Sequence, residues 1–297
     1  MQNKLSAHTR AVLTALFVTF LWSTSWVLIK IGLQNIPALT FAGLRYFLAF
    51  LLLLPLLYTR RATAWRGLTR RDWLGLAGLG VLYYAIAQGT QFLGLAYLPA
   101  ITFSLLLNGT AVLVAVLGIP LLRERPAWWQ WGGMAIFLGG ALLFFFPLHI
   151  PAAQVIGYLV AAVHLLASSL SSILGRGINR GQRLHPLAVT TVSMGVGSVL
   201  LLATGLAVEP WPHLDWGQWG IVVWLAVVNT AVAFTLWNHT LRTLSAMEST
   251  LINNTMLIQI SLLAWLFLGE SLTLLKIGGL VLVAVGALLT QWRPKKP

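Results

Sequence analysis

GGMAIFLGGALL, Gly132 to Leu143, is matched without a gap by GGLVLVAVGALL, Gly278 to Leu289, at an offset of 146 residues. At the same offset Asn108 meets Asn254 and Glu124 meets Glu270, so the identities include polar residues that chance similarity between leucine-rich segments does not supply. The two halves of the chain read as copies of one another.

The orientation of the copies follows from counting spans. Of the 297 residues, 58% are hydrophobic and 8% charged, with a mean hydropathy of +0.84, which is the composition of a polytopic membrane protein. Ten apolar runs, at about 11–33, 39–58, 73–97, 100–122, 128–146, 153–174, 186–207, 216–240, 246–268 and 275–292, are long enough to cross roughly 30 Å of hydrocarbon. Five runs fall in each copy, and an odd number makes the second copy enter the membrane from the opposite side. The expected fold is an all-α polytopic membrane protein, with ten transmembrane helices arranged as two inverted five-helix repeats around a central cavity. Residues 1–147 form the first repeat and 153–297 the second, inverted one. The Pro147-to-Pro151 turn joins them within one integral membrane domain.

The net charge of +13 would point to nucleic acid in a soluble chain, but its placement points to a bilayer. Lys4, Arg10, the five arginines from Arg60 to Arg71, Arg123, Arg125, Arg176, Arg180, Arg183, Arg242, Arg293, Lys295 and Lys296 all fall on one side when ten spans are threaded. Only Lys30, Arg45 and Lys276 fall elsewhere, so the positive-inside rule puts both termini in the cytoplasm and argues against a nucleic-acid partner. The first run has no small-residue cleavage site and reads as a retained helix. The absence of cysteine removes disulfides and thiolate metal sites.

Inside hydrocarbon an unpaired polar group is costly, so polar side chains at mid-span face protein or a wet cavity. Trp22, Ser25 and Trp26 share one face of the first span, and Tyr84, Gln88 and Gln91 share one face of the third, with Tyr83 beside them. Asn108, Asn229, Trp237 and Asn254 add polar and aromatic groups in the fourth, eighth and ninth spans. Aromatic walls with hydrogen-bonding groups suit a small amphipathic solute, although interhelical hydrogen bonding and packing account for the same residue types. Trp26 and Trp237, nearer span ends, lean toward packing. His164 is the one histidine deep in a span, and three roles are open to it: binding a substrate carboxylate, relaying a proton, or donating to a neighbouring carbonyl. No acid lies well inside a span, which disfavours carboxylate-based proton antiport and cationic substrates. His213 and Asp215 lack further ligands at metal spacing, and no nucleophile triad or phosphate-cradling loop is visible, so neither a metal, a cofactor nor an enzyme activity is expected.

The stretch WSTSWVLIKIGLQNIPALTFAGLRYFLAFLLLLP (Trp22 to Pro55), the junction GLAYLPAITFSLLL (Gly94 to Leu107), and the repeated order of helix end, Glu124 or Glu270, then a Gly-Gly helix resemble the drug/metabolite transporter superfamily. Within it the chain is similar to the ten-helix EamA-type exporters. Where many members carry a proline early in the fourth and ninth helices, this chain has Ala111 and Leu257, with Asn108 and Asn254 nearby, which looks like the YddG-type aromatic amino acid exporters. The resemblance implies a monomeric bacterial inner-membrane protein that exports an amino acid, aromatic in kind, by alternating access. Trp22 and Tyr84 would then offer aromatic surface, with Ser25, Tyr83 and Trp237 beside them. Gln88, Asn108, Asn229 and Asn254 would hydrogen-bond the amino and carboxylate groups, and His164 would orient the carboxylate. The missing intramembrane acid favours gradient-driven facilitated export. A multidrug or other metabolite exporter on the same scaffold is the alternative, with a membrane-embedded transferase behind it.

Overall fold

The computed structural model describes residues 6–59, 69–122, 127–147, 151–180, 184, 186–240, 243–244 and 246–291. Glu124 and most of the basic residues behind the topology argument (Lys4, Arg60, Arg61, Arg66, Arg123, Arg125, Arg183, Arg242, Arg293, Lys295 and Lys296) lie outside the described residues. Within them every regular element is helical, and ten rods stand where the ten apolar runs are. They are α1 (Ala7–Gly32), α2 (Ala38–Thr59), α3 (residues 70–97), α4 (Ala100–Leu122) and α5 (Trp128–Phe144) in the first half. The second half holds α6 (Val155–Arg180), α7 (Pro186–Val208), α8 (residues 216–240), α9 (Ala246–Leu268) and α10 (Leu274–Gln291). Seven stretches among the described residues are long and apolar enough to cross a membrane by length and composition alone. α5 and α10 are short, at 17 and 18 residues, and α3 changes helix type part-way along. α6 runs to Arg180, six residues past the apolar run that announced it.

Two compact units are distinguished: Met1–Leu28 with Pro99–Ile150 and Val232–Pro297, and Ile29–Leu98 with Pro151–Ala231. Each draws helices from both halves of the chain. In the first unit α5 packs on α10 through the glycines that open the sequence argument. A Cβ placed on Gly133 would lie 2.9 Å from the carbonyl oxygen of Gly286, and one on Gly286 would lie 2.6 Å from that of Gly133. Gly140 and Gly279 meet in the same reciprocal way, at 2.9 and 2.7 Å. Gly133 matches Gly279 in the repeat and Gly140 matches Gly286, so each glycine touches the equivalent of the other. Such self-complementary contact belongs to a two-fold relation, and the order of the pairs makes the helices antiparallel. The inversion deduced from counting spans is thus present in the α5–α10 pair.

In the second unit α2 and α7 make the corresponding pair. Added Cβ atoms on Gly43 and Gly205 would come within 2.6 Å of Leu202 Cα and of the Thr40 nitrogen, again in antiparallel order. Carboxylates close the helix starts, where backbone N–H groups lack intrahelical partners. Glu209, just past α7, accepts from the Leu39 and Thr40 nitrogens of α2 at 2.9 and 2.8 Å. Glu270, just past α9, accepts from Ala100 and Ile101 of α4 at 2.5 and 2.9 Å. At the opposite kind of end, the Lys30 ammonium donates to the Leu95 and Leu98 carbonyls that finish α3, at 2.5 and 2.8 Å.

Replacing Gly133 by leucine must separate α5 from α10, whereas Gly132, with no atom within 4 Å of an added Cβ, faces open space. Overpacking of this kind costs about 1–3 kcal/mol. Gly133→Leu is expected to lower the thermal midpoint of the detergent-purified protein in fluorescence-detected size exclusion, with Gly132→Leu close to wild type; equal midpoints for the two variants would remove the glycine contact as a stabilising element.

Candidate functional site

The α3 rod is built from Arg70–Leu79, a π-helical segment Gly80–Ala87, and Gln88–Tyr97, and α8 from Trp216–Ala226, a π-helical segment Val227–Val232, and Ala233–Thr240. At the repeat offset of 146 residues the first π segment maps onto 226–233, so both copies widen at the same place. Tyr83 and Tyr84 lie in the first π segment and Asn229 and Thr230, their repeat equivalents, in the second. Wide turns like these recur at functional sites because they rotate side chains out of regular register and loosen backbone carbonyls. Here side chains recover those carbonyls. His164 Nδ1 donates to the Ala87 oxygen at 2.8 Å, and the Thr230 hydroxyl donates to the Leu225 oxygen at 2.9 Å.

The second unit contains Tyr83, Tyr84, Gln88, His164 and Asn229. Tyr84 is buried, its ring 5.7 Å edge-on from Tyr46 and 4.9 Å from Tyr83. Tyr46 donates its hydroxyl to Gln88 Oε1 at 2.6 Å. Because Nδ1 of His164 must carry the proton that Ala87 accepts, Nε2 stands 2.9 Å from the Ser168 hydroxyl as the acceptor in the neutral ring. Of the three roles open to His164, donation to a neighbouring carbonyl is the one this geometry describes. Asn229 and Thr230 are fully buried. A pocket of about 220 Å³ opens beside the π segment of α3, lined by Tyr83, Tyr84, Ser171, Ser172, Thr190 and Ser193, with Leu79 and Val189 completing it.

The first unit contains Trp22, Ser25, Asn108, Trp237 and Asn254. Trp22 packs in a tilted arrangement against Phe234 and Trp237, at 5.3 and 5.2 Å between ring centroids. This aromatic cluster is only half-buried at Trp22 and Trp237. Ser25 and Asn108 direct donors at their own helices: Ser25 to the Trp22 carbonyl at 2.5 Å, and Asn108 Nδ2 to the Ser104 carbonyl at 2.8 Å. Asn254 Nδ2 is buried with no hydrogen-bond partner among the described residues. Ser23 and Gln259 join α1 to α9 at 2.9 Å, and Trp26 packs on Phe103, both as plain helix packing.

Sequence reasoning passed over Arg45 and Tyr46. Arg45, one of the three basic residues that do not fall on the cytoplasmic side, is buried inside α2, donates Nε–H to Thr230 Oγ1 at 3.1 Å, and lies 5.1 Å above the Tyr46 ring. The signal available was its position within the second apolar run. Among the described residues no three His, Cys, Asp or Glu side chains cluster as a metal site.

Asparagine can reproduce the Nδ1–H donor of histidine, whereas leucine cannot. His164→Leu therefore removes one of two side-chain donors to the Ala87 carbonyl, Thr90 Oγ1 at 3.0 Å being the other, at a cost of about 0.5–1.5 kcal/mol, and should melt earlier than wild type, while His164→Asn should keep both midpoint and transport rate. A folded His164→Asn protein that no longer transports would assign the ring to solute or proton instead.

The EamA-like transporter family model matches the chain twice, over residues 9–146 and 155–292. The uncharacterized transporter YvbV of Bacillus subtilis (strain 168) is 29% identical over 97% of this chain and 93% of its own length. The S-adenosylmethionine/S-adenosylhomocysteine transporter of Chlamydia trachomatis serovar L2 is 25% identical over 85% and 80% of the two chains. A probable amino-acid metabolite efflux pump of Salmonella typhimurium (strain LT2) is likewise 25% identical, over 92% and 91%. One crystal structure superposes with a TM-score of 0.64 at 20% identity, covering 95% of this chain and 97% of the other. The chain belongs to the EamA-like transporter family of the drug/metabolite transporter superfamily, as a multi-pass membrane protein whose two halves each carry the family pattern.

Proposed function

We propose that the protein exports amino acids with aromatic side chains, or close derivatives, across a bacterial inner membrane by alternating access, with both termini cytoplasmic and without chemical change to the solute. The observation that carries this reading is the half-buried cluster of Trp22, Phe234 and Trp237, in which Trp22 stands midway along α1, where tryptophan otherwise has little reason to sit. Aromatic rings there offer an apolar surface to a flat solute, and the indole N–H groups suit a wet surrounding. Each unit carries hydrogen-bonding groups of its own for such a solute: Asn254 in the first, and Tyr83, Tyr84, Gln88 and Asn229 in the second. Ser25, Asn108 and His164, whose donors go to backbone carbonyls, act by shaping the helices that present the others.

Support for the substrate class comes also from two relatives, one named for amino-acid metabolites and one for S-adenosylmethionine. S-adenosylmethionine carries the α-amino-carboxylate of an amino acid. Facilitated movement down a gradient fits the placement of acids: each of the five carboxylates among the described residues caps a helix or pairs with a terminal histidine.

Uptake of labelled tryptophan, phenylalanine, alanine and S-adenosylmethionine into proteoliposomes, with wild type and Trp22→Ala, tests the reading. Tryptophan and phenylalanine should outpace alanine, and Trp22→Ala should raise their KM about two- to tenfold, the equivalent of one aromatic contact. Movement of S-adenosylmethionine alone would replace the aromatic amino acid by a nucleoside-bearing one, and imposed pH gradients that drive uptake would overturn the facilitated mechanism.

A further inference from the structure

Arg45 is a permanent cation inside a membrane helix, seven residues past Ala38 and about 10 Å along the helix from it. Its side chain is 4% exposed. Charged groups in such places normally pair with an acid. Among the described residues none does so here. Glu209 is committed to Leu39 and Thr40, Glu270 to Ala100 and Ile101, Asp72 and Asp215 to their own helix starts, and Glu248 to His8. Thr230 takes the Nε–H, and the Tyr46 ring lies beneath the guanidinium.

Those two contacts do not use the planar fork. A guanidinium carries five N–H donors, and the Thr230 bond uses one, leaving the four on the terminal nitrogens. Among the described residues Thr230 is the one hydrogen-bond partner of the guanidinium. Thr230 and Tyr46 meanwhile fix its position and plane: Thr230 is tied to the Leu225 carbonyl, and Tyr46 to Gln88 and to the edge of Tyr84. A cation that is held in place, buried and, among the described residues, without an acid beside it, its terminal nitrogens still to be used, suits an anion from outside the protein.

We propose that Arg45 is the anchor for the carboxylate of the transported solute, which makes a negatively charged group a requirement for recognition. The assignment rests on the amino-acid reading above for its cargo, but not for its chemistry. Bidentate pairing gives a carboxylate a large advantage over an amide of the same shape, because the amide lacks the charge and one acceptor.

Competition against labelled phenylalanine uptake in proteoliposomes tests it, with 3-phenylpropanoate and phenylalanine amide as competitors and wild type, Arg45→Lys and Arg45→Gln as proteins. In wild type the carboxylate should compete at least about tenfold better than the amide. Arg45→Gln should lose that preference, and Arg45→Lys, which keeps charge without the fork, should fall between. An amide that competes as well as the carboxylate in wild type overturns the proposal, even if neither variant folds. So does an Arg45→Gln protein that is less stable but keeps the wild-type preference, since that marks a purely structural arginine. If no amino acid moves at all, the thermal midpoint with each compound decides: a rise given by 3-phenylpropanoate and not by the amide, absent in Arg45→Gln, keeps the anchor while the amino-acid cargo falls. No carboxylate-selective rise in wild type removes the anchor as well.

Discussion

A backbone carbonyl in hydrocarbon must find a donor inside the protein, and a regular helix supplies one automatically. The two π segments break that supply. Each widens its helix, and side chains donate to carbonyls in or beside it: His164 and Thr90 to Ala87 in α3, and Thr230 to Leu225 in α8. The side chains that complete them then recruit others, Ser168 and Thr90 around His164, and Arg45 with Tyr46 around Thr230. The polar content of the second unit's interior is organised by the need to pay for two wide turns.

Carboxylates are scarce in this chain, six in 297 residues, and the described ones are used to finish helices. Glu209 and Glu270 each cap a helix of another span, joining the end of one to the start of its antiparallel neighbour. An acid used this way is bound to backbone N–H groups and is not free to neutralise a buried cation. Among the described residues the groups beside the Arg45 guanidinium are the Tyr46 ring and the Thr230 hydroxyl.

The fold was legible where the constraint is steric or additive. Gly133 and Gly140, with Gly279 and Gly286, advertise a close approach because any Cβ there would strike backbone, and span counting gives the inversion that their reciprocal contacts display. Helix type was not legible: nothing in GVLYYAIA or VVNTAV distinguishes a π segment from an α-helix, because the choice is made by partners distant in sequence. For the same reason polar residues could be located but not aimed. Ser25 and Asn108 have the right composition for a binding face and spend their donors on their own backbones. Arg45 was misread because a charge was weighed for its effect on topology before its depth in α2 was considered.

Inverted repeats give the backbone a symmetry that a directional solute does not share, so specificity has to come from side chains that differ at matched positions. The chain shows such differences. Tyr83 and Tyr84 stand where the other copy has Asn229 and Thr230, and Trp22 stands where the other copy has Ser168. Gln88 and Gln91 correspond to Phe234 and Trp237. At α1 and α8 the exchange yields an aromatic cluster; at α6 and α3 it yields a histidine, hydroxyls and amides. Each copy thus contributes to both chemistries, α1 and α8 to the rings and α3 and α6 to the hydrogen-bonding groups.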